Sequence, residues 1–487
     1  MSDAPRFSVR DVDCFEWPFG LRLPFRFGAI TVTHGRQAVA RLRIVLQDGR
    51  SAWGYAAESL AAKWFDKDPA LSDDANVAQL RRSLEIARSL YTDQGAQTAF
   101  GHAEAAYGPA LAACAAENLP PLVAGYGPAL LDRAAADALG RLLGLSFWEL
   151  VRRDVPGFRP QRLAPDLAGH DAPAFLASLR PLTRLDVRHT VGMLDPIVAA
   201  DQSARIGDGL PETLEEVVAT YGHRYFKLKV GGDVAADIDR LGRIAAVLDR
   251  IDAPYHATLD GNEQYADAEG VLELISAIAL TPGLARLRTS LLFIEQPIRR
   301  GLALERDVTP ITAAAPLILD ESDGEVGVFP RGRALGYRGV SSKNCKGFYK
   351  SLINRMRCDI WNREQPGFFM SAEDLTTLAG LSVQQDLALV ALLGLTHAER
   401  NGHHFVDGFA GRSEREAGEF LRAHPDLYHA ENGKVRMRIE GGQVAIGSLG
   451  CPGFACAALP DFSAMQPMPP AAWPARRTVS RTGASPS

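Results

Sequence analysis

Six charged residues in the middle of the chain each close a short apolar run. Lys227 and Lys229 stand in YFKLKV, Asp260 in ATLDGN, Glu295 in LLFIEQP, Asp320 in PLILDES and Lys343 in GVSSKNCKG. Three carboxylates in one low-dielectric pocket cannot all stay ionised unaided, because like charges a few ångström apart raise one another's pKa. A divalent cation removes the conflict. Three monodentate oxygens, with the remaining positions left to water or substrate, suit Mg²⁺, with Mn²⁺ as its substitute, whereas zinc prefers nitrogen and sulfur. The alternative is that Asp260, Glu295 and Asp320 cap strands in ion pairs with Lys or Arg.

Lys227 and Lys229 are two positions apart, so on a strand both side chains point to one face. Two ammonium groups side by side near a cation depress at least one pKa, and an amine brought down toward neutrality can act as a base. Lys343 ends a strand further round. Bases on either side of a bound substrate can take a proton from one face and return one to the other. The competing reading is that the lysines merely neutralise the acids.

The apolar runs are too short for helices and stop at Gly, Pro, Asn or Ser, which predicts buried strands. Between them, AADIDRLGRIAAVLDRI and AEGVLELISAIAL carry helical periodicity. Strand alternating with helix calls for parallel pairing through right-handed crossovers. The charged strand ends recur every 23 to 35 residues, the length of one strand, one helix and two loops. In an α/β barrel such ends face a common pocket. RHTVGML, around Arg188 to Leu194, is the predicted first barrel strand, with PGFFMSAED and LTHAERNG as the seventh and eighth. Eight repeats favour a closed (β/α)8 TIM-type barrel over an open sheet.

Upstream, FRFGAITVT, ARLRIVLQDGR and WGYAAE predict a small antiparallel sheet, and the Ala-rich stretch from Val77 to about Arg152 predicts helices packed on it. The expected organisation is an N-terminal α+β domain and connection over 1–185 and a barrel over 186–419. A C-terminal return over 420–470 contains the strand pair KVRMRIEGGQVAIG, and a Pro/Ser/Arg-rich disordered tail covers 471–487.

The chain has 487 residues, 46% hydrophobic and 23% charged, with a net charge of -5. No basic footprint for nucleic acid is present and nothing reads as a membrane span. The start, MSDAPRFSVRDVD, lacks the regions of a signal peptide, so the cytoplasm is the expected compartment. Six scattered cysteines do not suggest a disulfide framework, and CPGFAC lacks a second pair for zinc.

Taken together, K-x-K in FKLKV, D-x-N in LDGNEQ, IEQP, LDES and the lysine of VSSKNCKG resemble the muconate-lactonizing branch of the enolase superfamily. The likeness covers the barrel, and the N-terminal sheet and helices with the C-terminal return look like that superfamily's capping domain. It implies abstraction of the proton α to a carboxylate, with an enediolate held on Mg²⁺. By the same likeness Asp260, Glu295 and Asp320 are metal ligands, and Lys229 and Lys343 are acid/base catalysts on opposite faces. Lys227 helps bind the substrate carboxylate and tunes Lys229. Asn262 and Gln296 orient ligands, while Glu321 points away from the ligand position.

Two features depart from the family. The loop between Asp260 and Glu295 is longer, and KGFYK stands where relatives have a double glycine. Glu373 and Asp374, in SAED, are expected to cap the following helix at the surface. His397, His403 and His404, in HAERNGHHF, are expected in a solvated loop at the pocket rim.

The expected function is a racemase or epimerase of a small carboxylic acid, with association into a homo-oligomer. A dehydratase or cycloisomerase begins with the same or a reversed enolate step. A metal-free Schiff-base lyase and a non-catalytic acid-binding relative are the readings from other classes. LPFRFG and the eighth-strand loop are expected to set specificity.

Overall fold

A computed structural model describes residues 4–473. The N-terminal sheet is an antiparallel meander of β1 (Phe7–Phe27), β2 (Ile30–Leu46) and β3 (Ser51–Ser59). In β2, Leu42, Ile44 and Leu46 are buried, while Arg41 and Arg43 pair across to Asp13 and Asp11 of β1 at 2.8 and 2.5 Å. That two-residue alternation fixes which face meets the helices.

Helices Asp73–Asp93, Ala99–Ala116 and Tyr126–Leu143 form that layer, the first two capped by Ser72 and Thr98. The third lies so close to β3 that a Cβ at Gly54 would come within 2.0 Å of the Ala134 carbonyl. Only glycine permits that approach.

The barrel follows as β4 (Arg184–Val191), β5 (Tyr225–Lys229), β6 (His256–Asp260), β7 (Leu291–Glu295), β8 (Leu317–Leu319), β9 (Gly339–Ser342), β10 (Phe369–Ala372) and β11 (His397–Arg400). Each pairs in parallel with the next, and β11 pairs back onto β4. The ring is closed, with helices such as Val234–Leu248 and Phe348–Glu364 in the crossovers. Leu241, Ile244, Ala245 and Leu248 of the former are buried, the stripe expected from its periodicity.

The C-terminal segment divides its contacts. β12 (Tyr428–Glu431) and β13 (Lys434–Met437) pair with each other, β14 (Gln443–Ala445) adds antiparallel to β4, and β15 (Gln466–Pro467) adds to β1. The expected pairing within KVRMRIEGGQVAIG is therefore confined to its turn, where Glu440 and Gln443 exchange backbone hydrogen bonds at 3.0 and 3.1 Å. Gly441 and Gly442, at φ +57° and +77°, make that turn, beyond which one arm runs to β12 and the other to β4.

Of the tail expected to be disordered, residues 474–487 lie outside the described residues. Ala471 N donates to Glu85 at 2.7 Å, and Trp473 Nε1 donates to the Glu117 carbonyl at 3.3 Å. All six cysteines are free, and no single described helix is long and apolar enough to cross a membrane.

Candidate active site

Strand register does the first positioning. Lys229 is the ladder partner of Asp260, and Asp260 is the partner of Glu295, so the three stand at one level on neighbouring strands about 4.8 Å apart. Asp320 follows the last residue of β8, and Lys343 the last of β9. The loops after the acids are locked together. A Cβ at Gly261 would come within 2.6 Å of Pro297 Cα, and Asn262 and Gln296 hold positive φ of 41° and 33°. Strained backbone of this kind is kept where surrounding structure over-determines it. Here the Gln296 side chain accepts from Asp320 N at 2.9 Å and donates to Ser322 Oγ at 2.8 Å, fixing one strand end against the next.

The strand ends open into a cavity of about 360 Å³ between barrel and N-terminal domain. Lys227, Lys229, Asp260, Asn262 and Lys343 line it from below, joined by Asp374, Glu399 and Asn401. Leu21, Phe25, Phe27 and Trp64 line it from above, so LPFRFG reaches the site as expected. Lys343 Nζ stands 4.1 Å from the Trp64 ring centre, and Lys229 Nζ 6.0 Å from that of Phe25.

The charges interlock. Lys227 Nζ lies 2.9 Å from Asp260, 2.7 Å from Glu295, 2.8 Å from Glu373 and 2.9 Å from Glu399. An ammonium has three N–H donors and here meets four acids. Binding a substrate carboxylate through Lys227 therefore requires one contact to be given up. Lys229 Nζ donates to Asp260 Oδ2 at 2.5 Å, and Lys343 Nζ to Asp320 Oδ2 at 2.7 Å.

Burial alone would push both Lys227 and Lys343 down, but the acids outweigh it and hold both above the usual lysine range. At Lys227 the acids act against the expectation that paired ammonium groups beside a cation bring a lysine toward neutrality. Burial likewise favours a protonated Asp320, yet Lys343, Lys346 and Lys227 hold its carboxyl well below the ordinary range.

Glu295 is the exception. Burial, then Asp260 and Glu373, push its carboxyl well above the usual range. Neither of its oxygens has a hydrogen-bond partner, since the Lys227 contact is near in distance but out of line. A buried acid left in that condition is costly. A cation answers it, and the flanking oxygens of Asp260 and Asp320 are the hard donors that Mg²⁺ takes. The donor set fits that ion. In this structure Asp260 and Asp320 lean onto lysines, and the donor group drawn within 4.8 Å of one another among the described residues is His189, His223 and His403.

Several contributors escaped the sequence reading. Glu373 is not a surface cap. Its side chain is fully buried and bridges Arg188 and Lys227. Asp374 is buried, accepting from Asn401 N at 2.9 Å and Thr377 N at 3.0 Å, and the next long helix begins only at Leu381. Both follow directly on β10, as Asp320 follows β8, and a search for acids at strand ends would have found them.

Glu399, on β11, binds Lys227 and accepts from Thr190 Oγ1 at 2.6 Å. Lys346, in the KGFYK departure, donates to Asp320 at 3.0 Å. Glu321 faces the N-terminal domain, accepting from Lys67 at 3.1 Å. The histidines are not in a solvated rim loop. His397 lies on β11 beside Arg188 at 3.1 Å, and His403 and His404 pack against His189 on β4.

No protein-family model and no curated protein matches the chain. Solved structures do. A dipeptide epimerase from Enterococcus faecalis, complexed with Mg and the dipeptide L-Leu-L-Tyr, superposes with a TM-score of 0.56 at 14% identity, covering 92% of this chain and 99% of that one. A dipeptide epimerase from Cytophaga hutchinsonii, complexed with Mg and D-Ala-L-Val, gives 0.55 at 15% identity over 95% and 99%. Muconate lactonizing enzyme from Pseudomonas fluorescens, complexed with muconolactone, gives 0.55 at 16% identity over 94% and 97%. At these identities the likeness establishes the fold: a closed barrel under a separate N-terminal α+β domain.

Proposed function

We propose that the protein is an enolase-superfamily enzyme that removes the proton α to the carboxylate of a small acid and returns one, as a racemase or epimerase. One observation carries this reading. In a ring of eight strands, β5 and β9 lie opposite each other, so Lys229 and Lys343 face one cavity from opposite sides, with the acids of β6, β7 and β8 on the arc between.

Asp260, Glu295 and Asp320 would hold Mg²⁺. When bound, the ion supplies the positive charge that makes the α-proton of a carboxylate acidic enough for an amine to remove. Lys343 faces the substrate from the β9 side, set to exchange a proton at its Nζ. Lys229 faces the substrate from the other side and receives one. Trp64 and Phe25 cover the two amines and keep bulk water from the exchanging proton. Asn262 and Gln296 hold the loops that carry the acids.

The solved epimerases bind dipeptides, so dipeptides head the panel of acids to test. Incubation in D₂O, with and without EDTA, checks the reading. Deuterium at the α-carbon with inversion, lost when metal is removed, is the expected result. Loss of water or ring closure without inversion would make it a dehydratase or cycloisomerase. Turnover indifferent to EDTA, with substrate trapped on lysine by borohydride, would overturn it.

A further inference from the structure

We propose that His189, His223 and His403 form a metal site for a borderline divalent ion, with Zn²⁺ the first choice, on the outer wall of the barrel where β11 closes onto β4. The inference is independent of the reading above and uses none of its residues.

Placement comes from the strand. On β4, Arg188 and Thr190 reach inward to Glu373 and Glu399, so His189 between them faces out. His223 arrives from the segment before β5 and His403 from the one after β11. The His189 and His223 rings stack with centres 5.4 Å apart, and the His403 ring stands 5.7 and 5.6 Å from them. One nitrogen from each ring lies within 4.8 Å of the other two. A tetrahedral ion with Zn–N of about 2.0–2.1 Å needs donors about 3.3–3.5 Å apart, which ring rotation can supply.

The chemistry points the same way. His189 Nδ1 and both nitrogens of His223 and of His403 are buried without a hydrogen-bond partner. The large majority of buried side-chain polar atoms are paired, so five orphans at one spot call for a ligand. Burial keeps all three rings neutral: His189 is pushed down to about 3, and His223 and His403 well below the usual range. Neutral imidazole is the form that ligates.

The Val187 carbonyl stands by the His223 ring, outside hydrogen-bonding geometry, and favours its protonated form. Such a carbonyl is what the second N–H of a ligating histidine commonly meets. No carboxylate or thiolate belongs to the group, which selects against Mg²⁺ and Ca²⁺ and for ions that accept nitrogen. His403 also borders a separate cavity of about 230 Å³ with Tyr221, His429, Glu431 and Arg436. A fourth ligand, water or an exogenous donor, can reach the ion from there. Three protein ligands and one open position describe a zinc site of the kind that keeps a labile water.

Co²⁺ titration of the full-length chain without a histidine tag, stripped of metal and then supplied with excess Mg²⁺, tests this. The expected result is one equivalent of Co²⁺ with the visible absorption of a tetrahedral, thiolate-free site, displaced by Zn²⁺. The signal should be lost in His189→Ala and His403→Ala and kept in Glu295→Gln. X-ray absorption of the Zn²⁺-loaded wild-type protein should show three imidazole nitrogens, which decides the matter even if a histidine variant fails to fold. Absence of stoichiometric Co²⁺ binding, a spectrum unchanged in folded His403→Ala, or an oxygen-only coordination shell would overturn the proposal.

Discussion

The barrel mouth is buried and the histidine cluster nearly so, with His403 half-buried, yet they treat polar atoms in opposite ways. At the mouth, Lys227 alone touches four carboxylates, and Asp320 is held by Lys343 and Lys346. At the seam, the neutral His189 and His223 rings stack with His403 set at an angle to both, and five of their six ring nitrogens make no hydrogen bond. The mouth pairs its charges internally except at Glu295, while the seam leaves five ring nitrogens unpaired. The difference teaches where to look for a missing ligand: at the atom left over after every local partner is counted, not at the largest concentration of charge.

The sharpest way to break the comparison is at the amines. Lys229→Ala and Lys343→Ala should each lower α-proton exchange about 10²- to 10⁴-fold, the span of a lost general acid or base. Each should abolish exchange from one stereoisomer while sparing the other, read by mass spectrometry in D₂O. Equal loss from both stereoisomers would mean that the lysines do not serve separate faces.

Next in size is stability. Arg188→Met leaves Glu373 short of a buried partner and should cost about 3–5 kcal/mol in denaturant unfolding. His189→Leu, which removes an imidazole that bonds to nothing, should cost less than about 1.5 kcal/mol in metal-free protein. Similar costs at the two positions would erase the distinction between the regions.

Acid should separate them too. His189 is held down to about 3, so the native ring stays neutral while the unfolded one takes up a proton near 6.5. Stability from the seam therefore falls as pH drops from about 6.5 toward 3. Lys227, Lys229 and Lys343 outweigh burial at Glu399 and hold its carboxyl well below the ordinary range. That contribution is present above about 4.3 and is lost at lower pH. Hydrogen exchange in metal-free protein should show the β4 peptide, which carries His189, loosening before those of β6 and β7. The smallest effect is expected at Trp64→Phe, where a weaker cation–π contact to Lys343 should change activity by a factor of about 2 to 5.

Much of the mouth was legible in the sequence because register and period are written locally. An apolar run that stops at a charge declares a strand end, and two lysines two apart declare a shared face. Glu373 and Glu399 obeyed the same rule and were missed because SAED also reads as a helix cap and HAERNG as a loop. Their partners, Arg188 and Lys227, lie far away in the chain. The shift at Lys227 was misjudged for the same reason: its sign depends on how many acids surround the amine, which only the closed ring determines. The histidine seam was invisible, since His189, His223 and His403 come from three segments that meet only when β11 closes onto β4.

The account rests on Asp260, Glu295 and Asp320 accepting a divalent cation between the two lysines. Titration with Mn²⁺ followed by electron paramagnetic resonance tests this without knowledge of the substrate. The wild-type chain should bind one Mn²⁺ that Mg²⁺ displaces, and Glu295→Gln should lose it. Failure of the wild type to bind, or undiminished binding by a folded Glu295→Gln protein, would contradict the account.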